Sequence, residues 1–452
     1  MVTRKRGSGC GVDRLEIVFD DERLIADAGL VLPALLCERL GAERVVDAAV
    51  SRDGAPAIGA AAGSKALSVC FAMLAGADSI DDCDRLRAGA TEAVLPVAPR
   101  AATTLGNWLR GFSFGQVRQL DAAAGELLAR AWRAGARPER LLIDLDSSIS
   151  EVHGHRKRGA EYGHTRTLGY HPLFASSAET GEVLHTRLRR GGANTQYGVK
   201  RFFEETIARC RRAGHQGGFL VRADAGFVNY DLFRAIIRHG GSFSVATPLQ
   251  PRIRAAVEQI PEEAWQPIPY PVSSGLAEIA ETTVEVAVKH RRGPHPLPER
   301  LRLVVRRVLN HDPSHPQQPL FSEYRYFPIL TNRTDELATV EAEHRDHAKI
   351  ELVIRDLKDA GLAHLPSGKM YANMAWLVLA SLAHNLQRWI AILGLAERRI
   401  TQHRTIRNRY LAIPGRIASH ARRLRLRLPA SWPWRQRFLT AIQRIRALPA
   451  LS

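Results

Sequence analysis

At 452 residues, 45% hydrophobic and 24% charged, the chain has the composition of an ordinary globular protein with room for about three domain-sized units, which excludes a disordered or fibrous polymer. A formal net charge of +18 and a pI near 10.3 create a field that attracts polyanions, nucleic acid ahead of an anionic membrane surface. Cys10, Cys37, Cys70, Cys83 and Cys210 are scattered without a Cys-x-x-Cys pair, so no disulfide framework or structural zinc site is indicated, and the basic start lacks an apolar signal core, so a cytoplasmic location is expected.

Apolar residues recur at helical spacing in Leu30–Leu40, Ser64–Ala75 and Val117–Trp132, which predicts a helical N-terminal domain over 1–135. Within it, Gly59-Ala60-Ala61-Ala62-Gly63-Ser64-Lys65 has the wrong spacing for a phosphate loop and no strand before it, and reads as a helix junction. Then the pattern changes. Leu141–Asp146 is a short apolar strand, and His171–Ser177 and Val183–Leu188 make a hairpin around Glu179-Thr180-Gly181. A helix over Gln196–Arg212, a strand over Gly218–Ala223, a helix over Asn229–His239 and a strand over Ser242–Ala246 follow, and together these form the first part of a core over 136–247. Prolines become denser over 248–332, a β-rich insertion with strands at Thr283–Val288 and Leu301–Val308. Long helices over Leu337–Asp359 and Met370–Leu393 give the second part of the core, 333–395. The apolar run Met374–Ala383 is broken by His384, Asn385, Gln387 and Arg388 and is too short to span a bilayer, so no membrane partner is expected. No acidic residue follows Glu397, and the tail over 396–452, with Arg422, Arg423, Arg425 and Arg427, is predicted to be a basic helical clamp on double-stranded DNA.

Three strands, helix, strand, helix, strand and a last helix is the order of a ribonuclease H-like core, an α/β fold with a mixed five-stranded sheet and flanking helices. Carboxylates there converge from the end of the first strand, the end of the fourth and the last helix, and the sequence has Asp146, Asp224 and Glu351 at those places. Asp144 is an alternative to Asp146, since two residues is one strand period and both share a face. Oxygen donors of this kind suit Mg²⁺, with Mn²⁺ as a substitute. Two such ions can activate an attacking hydroxyl and neutralise a leaving oxygen during phosphodiester cleavage. Lys358, seven residues beyond Glu351, lies on the same helix face and is placed to meet the DNA backbone as a point charge.

A series of motifs runs in order along the chain. Leu74-Ala75-Gly76-Ala77-Asp78-Ser79-Ile80-Asp81-Asp82 and Thr104-Leu105-Gly106-Asn107-Trp108-Leu109-Arg110 come first. Asp144-Leu145-Asp146-Ser147-Ser148, Val152-His153-Gly154, Gly169-Tyr170-His171-Pro172-Leu173, Arg190-Gly191-Gly192-Ala193-Asn194 and Arg222-Ala223-Asp224-Ala225-Gly226-Phe227 follow. From about Leu15 to Leu393 the chain thereby resembles bacterial insertion-sequence transposases with an Asp-Asp-Glu core, in particular the insertion-sequence 1380 group, a relative of the insertion-sequence-four branch. The resemblance implies cut-and-paste transposition at the bacterial nucleoid. The protein would bind the terminal inverted repeats of its own element, cleave there, and direct the freed 3′ hydroxyl at target DNA, with a homodimer holding two ends. One departure stands out. Where the wider branch has Tyr and Arg ahead of the catalytic Glu, this chain has His344 and His347, which keeps the helix face but makes its charge pH-dependent.

Each feature also has a plainer reading. Acidic residues at strand ends are often turn formers, and Glu351 could be a solvated helix charge. His344, His347 and Glu351 could form a two-histidine, one-carboxylate metal face. Arg189 and Arg190 with Gly191-Gly192 are either a solvated turn or phosphate contacts. Trp265 is either a core residue or, by analogy with related transposases, a platform for a flipped base. The competing functions are a weakened, transposase-derived DNA-binding protein and a structure-selective nuclease on the same core.

Overall fold

A computed structural model describes residues 12, 15–50, 60–154, 156–163, 166–269, 277–287, 297–309, 324–420 and 423–451. The N-terminal region is helical where the apolar spacing predicts it. After a two-residue strand, β1 (Leu24–Ile25), come α1 (Val31–Leu40), α2 (Ala42–Ala49), α3 (Ala62–Leu74), α4 (Ala102–Arg110) and α5 (Phe114–Ala131). Helix α5 starts at a reciprocal cap. The Ser113 hydroxyl accepts from Gln116 N–H at 3.3 Å, and the Gln116 side chain accepts from Ser113 N–H at 3.0 Å.

The predicted strands then appear, with a small extra sheet among them. They are β2 (Leu141–Ser147), β3 (Ser150–Glu151), β4 (Glu161–Tyr162), β5 (Leu168–Tyr170), β6 (Leu173–Ser177) and β7 (Val183–Arg187). Helix α6 (Val199–Arg212), strand β8 (Phe219–Ala223), helix α7 (Tyr230–Arg238) and strand β9 (Ser242–Ala246) follow. The Asn229 side chain caps α7 by accepting from the N–H groups of Asp231 and Leu232. Across the sheet the order is β7-β6-β2-β8-β9, in which β6 lies antiparallel to both β7 and β2 while β2, β8 and β9 run parallel. Parallel neighbours need a crossover, and α6 and α7 supply one on each side of β8.

The region expected as an inserted module is continuous with this sheet. Helix α8 (Pro251–Glu258) leads to β10 (Gln266–Ile268), β11 (Ala277–Glu285), β12 (Arg300–Leu309) and β13 (Tyr324–Thr331). β13 pairs with β9 through Ile329↔Ala246, Leu330↔Val245 and Thr331↔Ser244, so the four strands extend the core into one nine-stranded sheet. An open edge at β9 would leave unpaired backbone groups, and β13 covers it.

The long helix expected over Leu337–Asp359 is two helices, α9 (Leu337–Arg345) and α10 (Lys349–Leu357), joined by a tighter turn at Asp346–Ala348. Helix α11 (Met370–Trp389) is buried along almost its whole length and packs against α3, α4, α5 and β7. The largest apolar cluster therefore runs from Leu30, just ahead of α1, to Ile445 near the C-terminus. No helix among the described residues is long and apolar enough to cross a membrane.

The tail departs from expectation. After α12 (His403–Ile406), its arginine-rich part forms two antiparallel strands, β14 (Gly415–His420) and β15 (Arg423–Arg427), and only then a helix, α13 (Arg435–Ala447). Arg423-Leu424-Arg425-Leu426-Arg427 alternates with period two, the strand signature, which an emphasis on charge alone conceals. β14 also pairs with β1, and α13 buries Phe438, Ala441, Ile442 and Ile445 against α1 and the turn after α11. The C-terminal segment is thus part of the core. Ile445→Ala should lower stability by about 2–5 kcal/mol in denaturant unfolding, the cost of a fully buried large-to-small change.

Candidate active site

Two of the three predicted carboxylates are brought together by strand register. Leu145 pairs with Ala223 in the parallel β2–β8 ladder, so Asp146 and Asp224 leave the C-terminal ends of adjacent strands, and such strands lie about 4.8 Å apart. Each has one oxygen occupied locally. Ser147 N–H donates to Asp146 Oδ1 at 2.6 Å, and Gly226 N–H donates to Asp224 Oδ1 at 3.0 Å where Asp224 caps the turn Ala225–Phe227.

The third carboxylate arrives on the helix that crosses above these strand ends. His344 Nδ1 is joined to Ser244 Oγ of β9 at 2.9 Å, and His347 Nε2 donates to the Leu145 carbonyl of β2 at 3.2 Å. The two imidazoles lie nearly parallel, 6.2 Å apart. Glu351, one turn further on, is exposed and near enough for its charge to act on Asp146. The Asp146 carboxyl is pushed up to about 7, first by burial and then by the charges of Asp224, Glu351 and Asp144, against the pull of the Ser147 amide. Carboxylates that repel one another in this way are an oxygen-only donor set whose tension a hard divalent cation would relieve, so the residues fit such an ion. Among the described residues, no three acidic, histidine or cysteine side chains stand close enough to form a ready-made cage.

Asp144 does something else. It is fully buried, and both its oxygens are held by Arg222, from Nε at 2.7 Å and Nη2 at 2.8 Å. Arg222, itself buried, also donates through Nη1 to the Glu343 carbonyl at the end of α9. Lys358 is exposed at the C-terminal end of α10.

Several expected DNA contacts are instead internal. His344 is held down to about 3 by burial and then by neighbouring His347 and Arg222, so its ring stays neutral at physiological pH and does not supply the pH-dependent charge expected of that position. His347 anchors the helix to β2 through Nε2. Arg189 is 7% exposed and donates to the carbonyls of His171, Asn194, Thr195 and Tyr197, stapling the loop before α6. The Gly191 and Gly192 amides are likewise used, on Gly159 O and Glu161 Oε2, and a Cβ at Gly191 would run into the carbonyls of Gly169 and Glu161. Of the motif's two arginines, Arg190 is the exposed one, 3.5 Å from Glu161. Trp265 is 8% exposed, with the Arg307 guanidinium 4.3 Å above its ring and Tyr326 beside it, so its face is already covered and the base-stacking expectation is not met. Arg423, Arg425 and Arg427 are exposed on β15, and Arg422 lies outside the described residues.

One residue escaped the sequence reading. His171 is buried at the start of β6, with Nδ1 donating to the Ala193 carbonyl at 2.8 Å and Nε2 therefore accepting from Ser147 Oγ at 2.9 Å, directly behind Asp146. Its only sequence signal was its place in Gly169-Tyr170-His171-Pro172-Leu173.

A family model described as transposase DDE domain, group 1, matches residues 8–450. No curated protein matches the chain. Among solved structures, it is similar to a piggyBac transposase in a synaptic complex with hairpin DNA, at 11% identity and a TM-score of 0.39, over 85% of this chain and 79% of that one.

The two neighbouring aspartates should separate in a stability assay. Asp144→Ala leaves a guanidinium buried without its partner and should cost about 3–5 kcal/mol. Asp146→Asn removes a carboxylate that its neighbours repel, so in metal-free buffer at pH 8 the melting temperature should stay level or rise.

Proposed function

Since the chain belongs to the transposase DDE domain family, group 1, we propose that it is a DNA transposase whose chemistry is carried by Asp146, Asp224 and Glu351. The observation that supports this most directly is the electrostatic one. Side chains 78 and 127 residues apart in sequence, counted from Asp146 to Asp224 and from Asp224 to Glu351, lie near enough that the charges of Asp224 and Glu351 add to burial, the larger cause, in pushing the Asp146 carboxyl up. The strand order, with the first strand central and the second antiparallel to it, supports a ribonuclease H-like reading of the core.

Asp146, Asp224 and Glu351 would hold two divalent cations, Mg²⁺ by preference. When bound, such ions lower the pKa of an attacking hydroxyl and stabilise charge on the leaving oxygen. The chain's own groups do the positioning. Ser147 N–H fixes one Asp146 oxygen, Gly226 N–H fixes one of Asp224, and His347 pins the start of α10 to the backbone of β2. Asp144 is assigned to the scaffold, because both its oxygens are spent on Arg222. Lys358 and Arg190 are exposed cations placed for backbone phosphates. The substrate would be double-stranded DNA at the element's terminal inverted repeats, cut and joined to a target by a homodimer of the insertion-sequence 1380 group. Catalysis survives the replacement of the branch's Tyr and Arg in this reading, because both histidines face the protein and support the helix.

Metal-dependent nicking of end DNA tests the assignment. Asp146→Asn, Asp224→Asn and Glu351→Gln should each reduce it by more than the roughly 100-fold that loss of an outer-shell partner costs, with DNA binding retained. Normal nicking by Glu351→Gln would overturn it.

A further inference from the structure

The tail's arginines are arranged, not merely abundant. In the β14–β15 pair, Arg425 lies opposite Ala418 and Arg427 opposite Arg416, and Arg423, Arg425 and Arg427, two residues apart, share one face of the ribbon. The other face carries Ile417 and Leu426, with Ser419 and an exposed Leu424 toward the Arg423 end. Ile417 and Leu426, with Leu428 just beyond the ribbon, pack on a satellite core of Ile25, Ala28 and Val94, which leaves the arginine face outward. β15 is also the edge of its three-stranded sheet, and Arg423, Arg425 and Arg427 are all exposed. Arg416 is answered by Asp21 at 3.2 Å, whereas the chain has no acidic residue after Glu397.

The ribbon is rigidly mounted. Leu24 and Ile25 of β1 pair with Arg416 and Gly415, Ile417 N–H donates to the Arg23 carbonyl, and Ala28 N–H donates to the Ile413 carbonyl. Segments from the two ends of the chain thus build one small sheet against the N-terminal helices. Successive arginines on β15 are two residues apart, about 6.8 Å along an extended strand. They form a stiff row of three cations, the complement of a regularly charged polyanion. A two-stranded ribbon is also slim enough to lie along a groove of duplex DNA.

We propose that β14–β15 is a rigid arm that grips the DNA backbone through Arg423, Arg425 and Arg427 without reading sequence, and that the N-terminal segment builds it jointly with the tail. This rests on the transposase reading for its choice of DNA, but it makes no use of the carboxylates or of metal. Phosphate contacts need only a point charge, whereas bidentate base recognition needs the guanidinium fork.

The test is therefore binding in EDTA, by fluorescence anisotropy across a salt series, with the full-length protein and two short duplexes, one random and one carrying an element end. For the triple variant Arg423→Gln/Arg425→Gln/Arg427→Gln, the log–log salt slope should become shallower by roughly 2.7 on both duplexes, about 0.9 per phosphate contact. The corresponding triple lysine variant should keep the wild-type slope. Because the three side chains point outward, melting temperatures should match wild type. A folded glutamine variant with an unchanged slope would overturn the arm. So would self-association of that variant with normal DNA binding, which would make the row a guard on an open strand edge. Loss confined to the end duplex and not rescued by lysine would mean base readout and would equally sink the proposal, as would binding of the wild-type protein to anionic vesicles but to neither duplex. Loss of nicking in Glu351→Gln leaves every one of these outcomes readable.

Discussion

One buried guanidinium holds the candidate site together. Arg222 grips Asp144 with two parallel hydrogen bonds and also reaches the Glu343 carbonyl. Asp144 is two residues from Asp146 on β2, Arg222 on β8 is two residues before Asp224, and Glu343 lies in the last turn of α9, the helix that precedes α10 and Glu351. A single side chain therefore ties β2 and β8, which present Asp146 and Asp224, to α9, the helix just before the one that carries Glu351. A planar fork with five donors can do this where a lysine could not. The pair is buried, so its hydrogen bonds must be complete to offset desolvation, and the additional bond to the helix carbonyl helps to complete them.

Other buried arginines of this strongly basic chain are likewise held by internal partners. Arg189 is spent on four carbonyls, Arg388 on those of Thr180, Arg398 and Arg399, and Arg307 on Glu262, Glu278 and the ring of Trp265. Arg118, Arg187 and Arg209 meet Asp121 and Glu205 around buried His185, clamping α5, β7 and α6 together. What remains outward includes the exposed row on β15, whose arginines form no ion pair with an acidic residue among the described residues.

Much of this was legible in the amino-acid order. The helices over Val117–Trp132 and Asn229–His239 and the strands over Leu141–Asp146 and Ser242–Ala246 appear within a few residues of where periodicity puts them, because each has one continuous apolar face. The tail was misread because alternation of arginine with leucine was outweighed by its charge. Of the insertion's four strands the sequence indicates two, at Thr283–Val288 and Leu301–Val308; β13 and its attachment to β9 are not among them, since strand pairing between Ile329 and Ala246 leaves no local trace in either segment. His171 went unnoticed for the same reason, as its value lies in reaching Ser147 across the β2–β6 pair.

By itself the sequence determined which residue types are present at the ends of which elements: carboxylates after two apolar strands and on a late helix, and cations without counter-charges at the end. Local periodicity and short-range motifs encode that much. Only the tertiary structure decided between Asp144 and Asp146 as the carboxylate free of an internal cation, turned His344, His347, Arg189 and Trp265 inward, and set three tail arginines in an outward row. Those outcomes depend on burial and on partners far along the chain, and a charged or aromatic side chain looks the same in sequence whether its neighbour in space is a carbonyl, a carboxylate or water.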